Sequence, residues 1–150
     1  MLTVRRLALV LVSLLPAAGL AACGASKHTS TTGNTEAAKQ QIEGAYVHFF
    51  SGKTTVSQRV ALLQNGQKFK PVIEAFASNP LAKSASATVS SVTLERGDRA
   101  RVVYTVKVGG AALPKQVGSA VRENGTWKVA DSSLCRLVAL QGSTPSICKS

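Results

Sequence analysis

The feature that most constrains the fold is a change in the spacing of apolar residues at Ser86. From there apolar and polar residues alternate, a period of two that is typical of half-buried strands. The turn sequence Asn124-Gly125 is a strong signal for a tight hairpin, and a second turn is predicted at Arg96-Gly97-Asp98. The stretches rich in valine and threonine predict four strands, at 88–95, 100–108, 117–124 and 126–130.

The second predicted strand shows how the two faces of this sheet differ. Its apolar residues share one face: Ala100, Val102, Tyr104, Val106 and Val108. The opposite face carries basic and polar side chains, with Arg99, Arg101 and Lys107 among them. The pattern therefore predicts an antiparallel sheet with one buried face and one wet, basic face.

The chain ahead of the sheet has helical spacing. Residues 36–51 place Ala38, Ile42, Ala45, Tyr46 and Phe49 on one face, with Thr35 as the N-cap. Shorter helices are predicted at 57–64, ended by Asn65-Gly66, and at 71–78, whereas 132–141 fits a last strand or a short helix equally well. Two to three N-terminal helices packed on a curved antiparallel sheet make an α+β fold. We therefore expect a nuclear-transport-factor-2-like cone, the class also called cystatin-like.

The first residues have the layout of a secretory signal peptide. Arg5 and Arg6 precede an uncharged apolar run that is too short to span a bilayer, which takes about 20 apolar residues. The signal, 1–22, ends in Leu20-Ala21-Ala22 before Cys23, and this resembles the lipobox of bacterial lipoproteins. There the cysteine is acylated and becomes residue one after cleavage. We expect Cys23 to be lipidated and to anchor the chain on the extracytoplasmic face of the cell membrane. An ordinary secretory signal that contains a cysteine is the alternative.

Composition divides the remainder of the chain into two parts. Residues 23–35 are nearly devoid of apolar side chains and predict a flexible tether, which leaves 36–150 for a single α+β domain. Without Arg5 and Arg6 the formal net charge falls from +11 to +9. An exported chain does not meet nucleic acid, so anionic lipid headgroups or acidic wall polymers are the candidate partners for a basic surface. A solvated surface with no dedicated partner is the alternative.

The two cysteines outside the signal indicate a disulfide. Once Cys23 takes the lipid, Cys135 and Cys148 are left as an even pair outside the reducing cytosol. Two free buried thiols are the alternative. A metal site is not expected, because these cysteines and both histidines lack zinc-ligand spacing.

No catalytic motif or cofactor-binding motif is found, so we expect no enzyme and no cofactor. The aromatic residues that could line a cavity in the cone are Tyr46, Phe50, Phe76, Tyr104 and Trp127, although such residues more often belong to a core. Arg59 could form a structural ion pair with Glu43 or Glu74, or bind the anion of a ligand.

Three functions remain open at this point. The first is a non-enzymatic module that binds an apolar ligand or an envelope protein in its concave face. The second is a small isomerase-like or dehydratase-like enzyme that uses Tyr104 and a nearby carboxylate. The third is docking of the basic sheet face on anionic lipid or wall polymer.

Two runs of the chain resemble a known family. The run from Tyr46 to Gly66, with its Phe49-Phe50 pair, and the later run that holds Trp127-Lys128-Val129 and the two cysteines are similar to the mycobacterial low-molecular-weight secreted antigen family. Together they cover most of residues 36–149. The resemblance implies an exported actinobacterial envelope protein with a cone-shaped domain. It does not imply any particular activity. Members of this family need not be lipid-anchored, so Cys23 is a feature of this chain itself.

Overall fold

An antiparallel sheet is the frame of the domain in the computed structural model, which describes residues 28–140, 142 and 144–149. The predicted signal peptide at 1–22 and the predicted lipidation site Cys23 lie outside the described residues. The strands are β1 (Ser86–Glu95), β2 (Arg99–Val108), β3 (Ala111–Ala112), β4 (Gln116–Glu123) and β5 (Thr126–Val129). They are ordered β1-β2-β4-β5 with every pair antiparallel, while the short β3 also pairs with β2.

The strands and turns follow the predicted alternation closely. On β2, Ala100, Val102, Tyr104 and Val106 are buried, and Arg99, Arg101 and Lys107 are exposed. Asn124 and Gly125 have φ angles of 50° and 80°, the left-handed values that a two-residue type I′ hairpin requires. The prediction of a sheet with one buried and one basic face is thereby confirmed.

Four helices accompany the sheet: α1 (His28–Phe50), α2 (Val56–Leu62), α3 (Gly66–Ser78) and α4 (Asp131–Leu140). Two 3-10 turns lie at Pro80–Ser84 and Ser146–Cys148. The sheet curls into a half-barrel, and α1 packs against β1 and β5. The fold is therefore α+β with a cone-like arrangement, as predicted. No helix in the described part of the chain combines the length and the apolar character needed to cross a membrane.

Two helix boundaries differ from the prediction. α1 begins at His28, about two turns before the expected start behind Thr35, because a helix already nucleated gains one hydrogen bond for each residue added. α3 begins at Gly66, five residues before the predicted start at Pro71, so this proline lies inside the helix. Asn65, at φ 53°, is the N-cap of α3, so Asn65-Gly66 starts this helix as well as following α2. A Cβ at Gly66 would overlap the carbonyl of Val60, and only glycine fits there.

The segment that the pattern left ambiguous is a helix, α4, and it covers an edge of the sheet. β5 pairs with β4 only from Ala120 onward, so the earlier part of β4 pairs with β2 on one side and has no strand on the side of β5. Side chains of α4 take the place of that strand. The Ser119 N–H donates to the Ser133 Oγ at 2.9 Å, and an Arg136 guanidinium nitrogen donates to the Val117 carbonyl at 2.7 Å. Polar side chains in this segment thus satisfy backbone groups that a strand would otherwise pair.

A disulfide joins α4 to the C-terminal 3-10 turn. Cys135 and Cys148 are bonded, with their Cα atoms 5.4 Å apart. The predicted pairing is confirmed, and the alternative of two free thiols is wrong. Because Cys135 lies in the middle of α4, the bridge ties the last described residues to the helix that covers β4.

Candidate functional site

The interior of the cone is built around two tyrosines from different elements. Tyr46 comes from α1 and Tyr104 from β2, and their rings meet edge to face with centroids 4.9 Å apart. Phe50 stacks on Tyr104 at 5.4 Å with an interplanar angle of 13°. All three side chains are at most 1 % exposed. Together they occupy the concave face that a ligand of a cone-shaped domain would have to enter.

The hydroxyl of Tyr46 is engaged by groups of the protein. It donates to the Ser119 carbonyl at 2.7 Å and lies 3.1 Å from the Ser133 Oγ. Gly118 lies beside this cluster, and a Cβ on it would lie 2.6 Å from the Tyr46 oxygen and 2.7 Å from the Ser133 oxygen. The cluster is therefore closely packed, with no room for one further carbon atom.

Burial is the main influence on the pKa values of the two tyrosines. Burial raises the pKa of Tyr46 far above its usual value, although the hydrogen bond from Ser133 lowers it in part. Burial also raises the pKa of Tyr104 to about 12. The charged group that acts on Tyr104 is a cation, Arg136, whereas an acid–base pair would need a carboxylate there. Both phenols are thus held neutral.

Arg59 is the buried charge of the domain, at 2 % exposed. Its guanidinium donates to the Ser51 carbonyl at 2.7 Å and lies over the ring of Phe76, 5.3 Å from the centroid. No described carboxylate forms an ion pair with it, and Glu74 pairs instead with Lys70 at 3.8 Å. The expected ion pair with Glu43 or Glu74 is therefore wrong. Arg59 is held by a carbonyl and an aromatic ring, and burial lowers the pKa of its guanidinium.

Beside Arg59 is a small enclosed cavity with almost wholly apolar walls. Its volume is about 20 Å³, measured as the space open to the centre of a water molecule. A cavity of this size holds about one water. It is lined by Phe49, Phe50, Arg59, Ile73, Phe76, Leu134, Leu137 and Val138.

The five predicted cavity-lining aromatics are distributed over two regions. Phe50 and Phe76 line the enclosed cavity, and Phe50 also touches the tyrosine pair. Tyr46 and Tyr104 lie outside that lining, within the packed core. Trp127, on β5, is 8 % exposed and belongs to the same core. Ser133 and Arg136 escaped the sequence interpretation, because the period of 132–141 did not distinguish a helix from a strand. Gly118 escaped it because no local pattern shows which side chains pack against a strand.

The outer face of the sheet presents cations in the open. Arg99, Arg101 and Lys107 are exposed on β2, and none of them forms an ion pair with another described residue. Arg136 joins Arg101 and Glu95 at a shallow depression over β4, where its guanidinium reaches Val117. Within the described residues no cluster of three or more histidine, cysteine, aspartate or glutamate side chains could hold a metal ion.

Comparison with known families assigns most of the described domain. Residues 35–145 match the family described as low molecular weight antigen MTB12, C-terminal domain. The match spans α1 from Thr35 onward, the whole sheet, α4 and the start of the C-terminal segment. No curated protein matches the chain.

Proposed function

The chain belongs to the low molecular weight antigen MTB12 C-terminal domain family, and from this premise we propose an exported envelope protein, lipid-anchored through Cys23, that acts as a non-enzymatic interaction module. The proposal of a non-enzymatic interaction module rests on one observation, the filled interior of the domain. Tyr46, Tyr104 and Phe50 occupy the concave face, and the enclosed cavity beside them has a volume of only about 20 Å³. Partners must therefore meet the domain at its surface or displace side chains to enter.

Three observations support a place outside the cytosol. The family is one of antigens, which fits an extracellular or envelope location. The Cys135–Cys148 disulfide suits an oxidising compartment. The lipobox-like Leu20-Ala21-Ala22-Cys23 supplies the anchor, since two or more acyl chains hold a protein stably on a membrane.

Replacement of Cys23 tests the anchor. In the native host, the mature protein should have the mass of a chain that starts at Cys23 plus acyl chains, and it should partition into the detergent phase. The Cys23→Ser variant should lose both properties, whereas Cys148→Ser, the matched control at another cysteine, should keep them. Equal masses without fatty acid for native and Cys23→Ser protein would show that the proposed anchor is wrong.

The absence of an enzymatic role is supported by the state of the tyrosines. An enzyme of the cone class would need a titrating group next to substrate, yet Tyr104 is buried and its pKa is raised to about 12. The competing proposal of an isomerase or dehydratase that uses Tyr104 predicts loss of turnover in Tyr104→Phe. Our proposal predicts that Tyr104→Phe keeps the partner binding of the native protein.

A second candidate function is favoured by the unpaired cations on the outer face. Arg99, Arg101 and Lys107 project from one strand, and a basic surface near a membrane attracts anionic headgroups or acidic wall polymers with about 1 kcal/mol for each cation. The mature chain 23–150 with Cys23→Ser isolates this effect, because it lacks both the acyl chains and the predicted signal peptide. It should sediment with phosphatidylglycerol vesicles at low salt, release as salt rises, and ignore phosphatidylcholine vesicles.

The cations responsible can be separated from net charge by a matched pair of variants. Arg99→Glu with Arg101→Glu should abolish sedimentation, whereas Lys53→Glu with Lys68→Glu makes the same charge change at two exposed sites off the sheet and should weaken it only slightly. If both variants lost vesicle binding equally, the binding would depend on net charge alone, and the sheet face would not be a docking surface. Binding to acidic wall polysaccharide in place of vesicles would assign the same face to the cell wall.

A further inference from the structure

The starting observation is that Arg59 is a buried cation without a counter-charge in the described part of the chain. Its Nε has no hydrogen-bond partner, although the residue is only 2 % exposed. The carbonyl of Ser51 and the ring of Phe76 satisfy the other end of the guanidinium in part. A buried charge is costly unless an opposite charge or hydrogen bonds compensate it. The vacant donor therefore identifies a position where an anion would be stabilised.

Arg59 lines the enclosed cavity, and the other walls of that cavity are apolar. Phe49, Ile73, Leu134 and Leu137 form walls of the enclosed cavity that Arg59 lines. A ligand that brings its charge to Arg59 must therefore carry a hydrocarbon portion, because a small hydrated ion would lose its water to apolar walls with little in return.

A surface groove borders the same cavity. This groove, between α3 and the C-terminal segment, has a volume of about 350 Å³ and is lined largely by apolar side chains. Phe76 and Val138 line both the groove and the enclosed cavity, so these two side chains separate them. The other walls of the groove are Pro71, Val72, Ala75, Asn79 and Pro145.

The outer wall of the groove is an element that a covalent bond holds in place. Val138 lies on α4 one turn after Cys135, which is bonded to Cys148 in the neighbouring 3-10 turn. A small outward shift of α4 with a rotamer change of Phe76 would join the groove and the cavity. The disulfide keeps the C-terminal segment attached to α4 during such a shift.

We propose that this site binds an aliphatic carboxylate. The hydrocarbon chain lies in the groove between α3 and α4, displaces Phe76 and Val138, and brings the carboxylate to the Nε–H of Arg59. A singly charged carboxylate balances the one buried guanidinium, and its planar shape matches the edge of that group. This inference rests on the proposed function only in treating the domain as a binding module. Direct binding of a small probe tests it separately from lipid anchoring and from docking of the basic sheet face.

Calorimetric titration of the mature chain 23–150 with Cys23→Ser, with its disulfide intact, tests the site with defined probes. Decanoate should bind with saturation at one molecule per chain. Decanol has the same chain length without the charge, and it should bind about tenfold more weakly or worse because the charge-assisted hydrogen bond is lost. Absence of saturable decanoate binding to the native domain would overturn the proposal, while sedimentation on vesicles would still report on the proposed function.

Two variants locate the binding. Arg59→Met keeps most of the buried apolar stem and should bind decanoate and decanol equally. Val138→Trp should fill the groove and weaken both probes about tenfold or more, whereas Leu140→Trp adds the same side chain at an exposed position of α4 and should leave both affinities unchanged. Decanoate binding that survives Val138→Trp would place the site elsewhere. If Arg59→Met fails to fold, the decanoate–decanol comparison on native protein still decides the role of charge.

Discussion

The phenol oxygen of Tyr46 and the hydroxyl oxygen of Ser133 lie 3.1 Å apart although 87 residues separate them in the chain. Tyr46 belongs to the first helix and Ser133 to the last, and both contact the backbone of Ser119 in β4. Three elements that are distant in sequence are thus joined at one point inside the cone. The function of this cluster in the fold can be tested by perturbing one group at a time.

The sharpest steric test of the cluster is Gly118→Ala. The new methyl group would lie 2.6 Å from the Tyr46 oxygen and 2.7 Å from the Ser133 oxygen, so the hydrogen bonds must break or the strand must shift. We expect the free energy of unfolding, measured with urea, to fall by about 2–4 kcal/mol. Gly44→Ala is the control, because nothing lies within 4 Å of the new methyl group and the helix should gain about 0.5–1 kcal/mol. Equal stability of the two variants would contradict the packing described.

A double-mutant cycle tests the hydrogen bonds that the Tyr46 and Ser133 hydroxyls form. Ser133→Ala removes the acceptor of the Ser119 N–H and should cost about 1–3 kcal/mol, because the edge of β4 keeps a buried donor without a partner. Tyr46→Phe should cost about 1 kcal/mol. The double variant should be less destabilised than the sum of the two, by about 0.5–1 kcal/mol. Strict additivity, measured by urea denaturation, would show that the two hydroxyls do not interact.

The buried phenols make stability depend on alkaline pH. Both tyrosines have an ordinary pKa of 10.0, and burial raises the folded-state pKa of Tyr104 to about 12 and that of Tyr46 further still. The folded chain therefore keeps protons that the unfolded chain releases. Stability is fully present below pH 10 and falls as pH rises from the unfolded pKa of 10.0 through the folded values, by up to about 1.4 kcal/mol per pH unit for each tyrosine.

Urea denaturation from neutral pH to about pH 11 measures this dependence. The slope above the ordinary tyrosine pKa should be shallower in Tyr104→Phe, which lacks one of the two titrating groups. An identical slope in the native protein and in Tyr104→Phe would assign the alkaline loss to other groups.

The disulfide should contribute a measurable part of the stability. It closes a loop between residues that are 13 apart, for which the chain-entropy relation gives about 3 kcal/mol. Cys135→Ser combined with Cys148→Ser should lower the free energy of unfolding by about this amount. Reductant should destabilise the native protein similarly and leave the double variant unchanged. A change under about 1 kcal/mol would mean that the disulfide adds little to the apolar contacts and hydrogen bonds that hold α4.

The sequence predicted the parts of the fold that depend on local pattern. The alternation along β2 and the Asn124-Gly125 turn could be predicted because each depends on local residue types. Apolar and polar residues alternate where a strand has one buried face, and asparagine and glycine are preferred where a turn needs left-handed φ angles. Pro71 misled the interpretation of α3: proline favours the first turn of a helix, but α3 begins five residues earlier, at Gly66, and Pro71 lies inside it.

The candidate site was less accessible from sequence. The environment of Arg59 depends on a ring in α3 and a carbonyl after α1, and no spacing rule brings these together. Its expected carboxylate partners were chosen by charge alone, whereas the fold places a neutral carbonyl and an aromatic ring there. The filling of the concave face likewise depends on how side chains from distant elements interlock, which periodicity does not encode.

Because α4 covers the edge of the early part of β4, it also affects whether copies of this protein can associate through their sheets. A strand whose backbone groups are already occupied by Ser133 and Arg136 offers no template for a neighbouring molecule. The outer edge of β1, a terminal strand of the sheet, is another place where a strand could be added, and there the ladder is interrupted between Val89 and Ser91. A bulge at that outer edge disfavours a flat continuation. Crowded copies of the protein should consequently resist fibre formation for as long as α4 stays in place.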